Sequence, residues 1–244
     1  MHGRLAMSLA MEEHVSIRDL VKTFTEGGVV TQVLDHVSVR VMRGEYLALM
    51  GPSGSGKTTL LNLISGLDAP TSGTVVTAGQ DLSELDETGL ARWRRKAVGF
   101  VFQQYHLLSV LTTLENVELP LLLFDLPRAE RRKRAMAALR LVGLEERASF
   151  FPRQLSGGQK QRAGIARAVV TDPDILIADE PTGNLDEQAS SDVLDLFDVL
   201  QEVLGKTILM VTHDPRAAAR AHRLLHLEKG RLSRDEPGAG AGVR

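Results

Sequence analysis

Cysteine is absent from the 244 residues, which excludes disulfides and thiolate metal sites. That absence suits a reducing compartment without requiring one. Charge of one sign is also missing: 29 Lys and Arg against 31 Asp and Glu leave a formal net charge of −2. Nucleic-acid partners call for a basic face, so the balance gives no electrostatic case for them. No stretch approaches the roughly 20 apolar residues that cross a bilayer. The longest aliphatic patch, residues 119–126, is interrupted by Pro120 and Asp125. The first eleven residues contain Arg4 but no apolar core of signal-peptide length. Residues 1–13 are therefore expected to be a disordered leader. Residues 233–244, rich in Gly, Ala and Pro, are expected to be a flexible tail.

What is present is a near-average globular composition, 43% hydrophobic and 25% charged. The length suits one large α/β domain, or such a domain with a helical insert. The opening is β-rich: 15–17 and 37–41 alternate apolar with polar residues, 45–50 is a third short strand, and 25–28 carries turn chemistry. After Gly51 the period changes, and Leu60, Leu61 and Ile64 place a helix over 57–64. Residues 75–76 and 98–102 read as strands, with a charged helical stretch at 91–96. Helical character then runs from 112 to 152, strongest over 128–141, so a helical insert is expected near 104–154. The apolar runs 175–178 and 207–211 fit strands covered on both faces. A helix between them, 187–204, completes a βαβ unit and hence a parallel sheet.

Gly51-Pro-Ser-Gly-Ser-Gly-Lys57-Thr58 fits G-x-x-x-x-G-K-[ST] between a strand and a helix, the context that motif requires. Glycines at 51, 54 and 56 permit backbone angles that turn successive N–H groups onto an anion, and the helix adds its positive end. The candidate phosphate-binding residues are Gly51, Ser53, Gly54, Ser55, Gly56, Lys57, Thr58 and Thr59. Lys57 would reach the β- and γ-phosphates, and the Thr58 hydroxyl would take a Mg²⁺ position. A plainer reading is a glycine-rich turn that happens to precede a helix.

Ile175-Leu-Ile-Ala-Asp179-Glu180 puts two acids at the end of a buried strand, where open parallel sheets collect their ligands. Asp179 would hold Mg²⁺, and Glu180 would orient and deprotonate the attacking water. Alternatively the acids cap the next helix, although Pro181-Thr-Gly183 delays it.

Leu155-Ser156-Gly157-Gly158-Gln159 precedes a helical run at 161–170 and forms a second anion nest. One chain already has a phosphate loop, so the second nest fits a nucleotide held by another copy. With the phosphate loop before it and the acidic strand end after it, this pentapeptide resembles the signature of the ABC ATPase superfamily. The resemblance extends over about 15–232. It implies an α/β P-loop NTPase core with an antiparallel β subdomain and a helical insert subdomain, spanning 14–232. It also implies ATP and Mg²⁺ as nucleotide and cation.

Residue by residue, Gln103 resembles the Q-loop glutamine that senses the cation and the attacking water. Asn184-Leu185-Asp186 resembles the D-loop at the dimer interface, which brings Asp186 near nucleotide. His213 resembles the switch histidine on the γ-phosphate. Phe24 falls where the family carries an adenine-stacking aromatic, more often Tyr. Each has a plain alternative: a loop amide for Gln103, a core histidine for His213, packing for Phe24.

The resemblance further implies two cassettes paired head to tail, most simply as a homodimer. Lys57 and Thr58 of one and Ser156 and Gly158 of the other, with Gly157 and Gln159 beside them, would hold each ATP. Ala178-Asp-Glu-Pro-Thr-Gly-Asn-Leu-Asp186, Gly99-Phe-Val-Phe-Gln-Gln104 and Leu114-Glu-Asn-Val-Glu-Leu-Pro120 are similar to the LolD/MacB/FtsE-like branch. Members of that branch work with separate transmembrane permeases bearing large extracytoplasmic domains. The implied location is the cytoplasmic face of the inner membrane, and the implied partners are a permease and a second cassette, with no nucleic acid. The alternative is a mechanotransducing regulator of the cell-division type that transports nothing. Residues 105–118 are expected to form much of a groove for a permease helix, although Leu107, Leu108 and Leu111 fit core packing as well. The run Arg128, Arg131, Arg132, Lys133, Arg134 reads as a solvated helix face before it reads as a lipid contact.

Overall fold

A computed structural model of the chain describes residues 12–242; most of the expected leader thus lies outside the described residues. The chain opens with β1 (Glu13–Glu26) and β2 (Val29–Met42), a long hairpin closed by Gly27-Gly28. In β2 the buried Val37, Val39 and Val41 alternate with exposed Ser38 and Arg40, the period expected of a strand with one covered face. β3 (Tyr46–Met50) leads through the glycine-rich loop into α1 (Lys57–Ile64). Next come β4 (Ser72–Thr77), β5 (Gln80–Asp81), α2 (Glu87–Ala97) and β6 (Val98–Phe102). A helical stretch follows, with α3 (Thr113–Glu118), α4 (Arg128–Leu141) and α5 (Gly157–Val169). The chain then runs through β7 (Ile175–Asp179), α6 (Glu187–Glu202), β8 (Thr207–Val211), α7 (Pro215–Ala218), β9 (Arg223–Glu228) and β10 (Arg231–Pro237).

Among the described residues the strands form two sheets. One is antiparallel, in the order β2-β1-β4-β5. The other has the order β10-β9-β3-β8-β7-β6, parallel except for β10 at its edge. Alternation along the parallel strands divides the core in two. Leu47, Leu49, Ile175, Ile177, Leu209 and Val211 pack with α1 and the antiparallel sheet. Tyr46, Ala48, Leu176, Ala178, Ile208 and Met210 pack with the helices on the opposite face. Burial on both faces is why these strands are uninterrupted apolar runs.

The structure departs from the sequence reading at several ends. The first five residues of the expected flexible tail, 233–237, belong instead to β10, paired antiparallel with β9. Arg223 donates from Nε and Nη2 to the two oxygens of Asp235, both at 2.6 Å, a two-pronged ion pair that holds the edge strand in place. The domain accordingly begins at β1, one residue before 14, and its edge strand runs past 232. α5 starts at Gly157, not 161, because Ser156 caps it: its hydroxyl accepts from the Gln159 N–H while the Gln159 side chain accepts from the Ser156 N–H.

One buried polar side chain organises the loop after β6. Asn116, fully buried, accepts from the Leu108 N–H at 2.7 Å and donates to the carbonyls of Leu108, Leu111 and Thr112. Asn116→Leu should lower unfolding stability in urea by about 2 kcal/mol, because the Leu108 N–H and the Leu111 carbonyl lose their partner, whereas the Leu108 and Thr112 carbonyls keep the N–H groups of Leu111 and Asn116. An unchanged midpoint would contradict this.

Candidate active site

The carboxyl ends of β3, β6, β7 and β8 converge on one cleft of about 640 Å³. Its walls include Gly51, Ser53, Gly54, Gly56, Lys57, Thr58 and Thr59 from the loop and α1, with Gln103, Asp179, Glu180 and His213 from the other three strand ends. Ligand sites in open parallel sheets lie in this position. Val33 of β2 and Val211 also line it; no sequence signal marks them, since both read as ordinary strand valines.

The loop owes its shape to missing side chains. A Cβ at Gly51 would lie 2.1 Å from the Leu227 carbonyl oxygen and 2.9 Å from the Ser55 hydroxyl. At Gly56, with φ 102°, a Cβ would lie 2.8 Å from Leu34 and 2.9 Å from the Val33 carbonyl. Gly56 caps α1 with no side chain of its own, so the first N–H groups of the helix keep no protein acceptor from the cap. The Lys57 ammonium reaches back over the loop and donates to the Gly51 and Pro52 carbonyls, each at 2.8 Å. A cradle of free N–H groups and an ammonium fits phosphate. Ser55 departs from the pattern. Its side chain is buried and its N–H donates to Pro52, so its hydroxyl is not part of the cleft wall.

The Thr58 hydroxyl donates to Asp179 Oδ2 at 3.3 Å. Burial pushes the Asp179 carboxyl above the usual carboxylate range; the Thr58 bond and Lys57 charge oppose this, and the Glu180 charge adds to it. A divalent cation between Thr58 and Asp179 would offset that cost, so this donor set fits Mg²⁺. Glu180 adopts a left-handed φ of 49°, pinned by its N–H on the Val211 carbonyl and its carbonyl on the Gly183 N–H. Its carboxylate lies 2.9 Å from Nδ1 of His213, whose side chain is 72% exposed. Neither acid caps the following helix. That role falls to Asp186, whose Oδ1 accepts from the Ala189 N–H at 2.8 Å.

The remaining nominated residues stand outside this cleft. Phe24 is exposed on β1, with the Lys22 ammonium 4.7 Å from its ring centroid. Ser156, Gly157, Gly158 and Gln159 form the first turn of α5, and Asp186 starts α6; none of them lines the cleft. A second cavity, apolar and of about 480 Å³, lies between α2, β6 and the helical stretch, lined by Leu67, Phe100, His106, Pro120, Leu123 and Arg167 among others. Of residues 105–118, only His106 lines it. Leu107 packs partly against the core, and Leu108 is half exposed.

Because Ser156 caps α5 but stands apart from the cleft, its two roles separate. Ser156→Ala should cost about 1 kcal/mol of stability through the lost cap, read by denaturant unfolding. Nucleotide affinity of the isolated chain, measured by calorimetry, should stay unchanged. A matching loss of affinity would place Ser156 in the cleft of its own chain.

The family model described as ABC transporter matches residues 34–183. The chain is 47% identical over 224 residues to the ABC transporter ATP-binding protein YvrO of Bacillus subtilis, covering 92% of this chain and 97% of that one. It is 46% identical over 216 residues to the lipoprotein-releasing system ATP-binding protein LolD of Chromohalobacter salexigens, covering 88% and 91%. Among solved structures it matches a dimeric post-hydrolysis state of the ATP-binding cassette MJ0796 bound to ADP and Pi, with a TM-score of 0.84 and 42% identity over 91% of this chain and 98% of that one. A phosphate cradle, an acidic strand end and these likenesses over nine-tenths of the chain lead to one conclusion: the chain belongs to the ABC transporter family.

Proposed function

We propose that this chain is the ATP-hydrolysing subunit of an ABC transporter and powers a separate membrane permease. The observation that carries the reading is the cleft itself. Lysine, threonine, two adjacent acids, a glutamine and a histidine meet at the ends of parallel strands, over backbone shaped by glycine. Loop N–H groups and Lys57 would hold the β- and γ-phosphates of ATP. Thr58, Asp179 and Gln103 would hold Mg²⁺, which supplies charge neutralisation on the phosphate oxygens. Glu180 would orient water and take its proton as the water oxygen bonds the γ-phosphorus and the bond to the ADP oxygen breaks. His213, beside Glu180 and largely in solvent, would close on the γ-phosphate.

The exposed turn at Ser156 supports a second site of contact. It lies outside its own chain's cleft, as a nest meant for a nucleotide on another copy does. A head-to-tail homodimer would then be closed by ATP and opened by loss of the γ-phosphate, a shift between two states by differential affinity. Phe24 would stack on adenine. The likeness to LolD and the dimeric cassette MJ0796 supports this assembly.

Among the described residues no helix is long and apolar enough to cross a membrane. In our reading the apolar cavity beside α2 receives a cytoplasmic segment of the permease, which holds the chain at the inner face of the membrane. Leu67, Leu122 and Leu123, each at least half exposed, give that segment something to bury. The permease would carry a large extracytoplasmic domain and release or export lipoprotein-, peptide- or macrolide-type molecules. Glu180→Gln should cut ATP turnover roughly 100-fold or more while trapping an ATP-dependent dimer in size-exclusion chromatography. A variant that turns over normally would remove Glu180 from the role of base.

A further inference from the structure

Gln103 enters the cleft from the end of β6, and a neighbouring side chain decides which end of its amide faces inward. The Asn184 Nδ2 donates to the Gln103 backbone carbonyl at 3.1 Å. In return the Gln103 Nε2 donates to Asn184 Oδ1 at 3.4 Å. The orientation follows from the backbone partner. A carbonyl can only accept, so Asn184 must turn its amino group to it, which leaves the Asn184 oxygen facing the glutamine. That oxygen also only accepts, so Gln103 must present its amino group there. The Gln103 Oε1 is thereby left as the free end, in a cleft it shares with Thr58 and Asp179.

Two further features hold this arrangement. Gly183 lies so close beneath Gln103 that a Cβ would sit 2.7 Å from Nε2 and 3.3 Å from the amide carbon, so a side chain there would push the amide off its present place beside Asn184. Beyond Gln103, Tyr105 and His106 both adopt left-handed φ values, 61° and 48°. The Arg167 guanidinium of α5 donates to both of their carbonyls, to Tyr105 at 2.7 Å. Backbone in that region is costly for residues with side chains and persists where neighbours hold it. Gln103 is thus fixed on one side by Asn184 and followed on the other by a clamped turn.

We propose that Asn184 is a positioning residue that selects the oxygen-forward orientation of the Gln103 amide toward a divalent cation held by Thr58 and Asp179. An unrestrained glutamine amide presents either end. Mg²⁺ accepts only its oxygen, and an amino group in that place faces the cation with its positive end. The inference rests on the proposed role of Gln103 at the cation and names the residue that enforces it.

The test measures binding of a non-hydrolysable ATP analogue to the full chain by calorimetry, with Mg²⁺ and with chelator, for the parent, Asn184→Ala, Gln103→Ala and the double variant. Asn184→Ala should weaken Mg²⁺-dependent binding roughly threefold to tenfold, the worth of one oriented hydrogen-bonded group. It should leave binding in chelator and the melting temperature unchanged. In the Gln103→Ala background the same substitution should add nothing, since its effect runs through the missing amide. An additive loss in the double variant, or an equal loss with and without Mg²⁺, would overturn the proposal. So would an inert Asn184→Ala beside a damaging Gln103→Ala, and that result would leave the role of Gln103 standing. Were Gln103→Ala itself to leave the Mg²⁺ dependence intact, the parent reading would fall and this one with it.

Discussion

Everything in the cleft depends on a backbone that can come within touching distance of other backbone. At Gly51 the space of a side chain is already filled by the carbonyl of Leu227, at the far end of β9, and at Gly56 by Val33 and Leu34 of β2. The phosphate loop is therefore clasped between a strand of the parallel sheet and a strand of the antiparallel one. This explains why the long β1-β2 hairpin belongs to the active site although it supplies few polar groups to it. It holds the loop in a shape that only glycine can take, and that shape frees the N–H groups at the start of α1.

The two-faced parallel sheet does the rest of the positioning. With β3, β7 and β8 buried on both sides, their ends are fixed by packing against two separate cores. Asp179 is the last residue of β7, His213 follows β8 by two residues, and the loop that leads to Lys57 begins directly after β3. Asp179 then stands where charge is costly. Burial raises the Asp179 carboxyl and the adjacent Glu180 adds to it, a cost that a cation and its phosphates would relieve. Acids beside a cradle of N–H groups and an ammonium make the site receptive to a charged pair of ligands and poorly suited to anything apolar.

Legibility in the sequence followed how local the cause was. The phosphate loop and the acidic strand end could be read because their chemistry is carried by neighbours in sequence. The βαβ unit at 175–211 could be read because continuous apolar runs mean double burial. β9 and β10 have no such local cause: their hold comes from Arg223 meeting Asp235 and from pairing to β3, contacts that no local pattern announces. α5 starts four residues before its sequence pattern announces it, since two glycines argue against helix while the reciprocal cap of Ser156 and Gln159 outweighs them. The apolar cavity takes only His106 from 105–118 and is lined mainly by α2, β6 and the turn around Leu123. Asn116 explains why: it draws the carbonyls of 108–112 inward and ties that loop to α3. Asn184 had a place in a motif but no task, because its partner lies 81 positions away.

Two features of the surface remain joined by a single idea. The cleft gathers groups for one face of a triphosphate, and the Ser156 turn lies outside the cleft of its own chain. The direct measurement is ATP turnover by a mixture of two inactive copies, one carrying Lys57→Ala and the other a bulky Ser156→Arg. Mixed dimers pair the intact cradle of one with the intact turn of the other, so the account predicts recovered turnover in the mixture that neither copy has alone. If the mixture stays inactive although mixed dimers form, the nucleotide is not shared between chains and the account is contradicted.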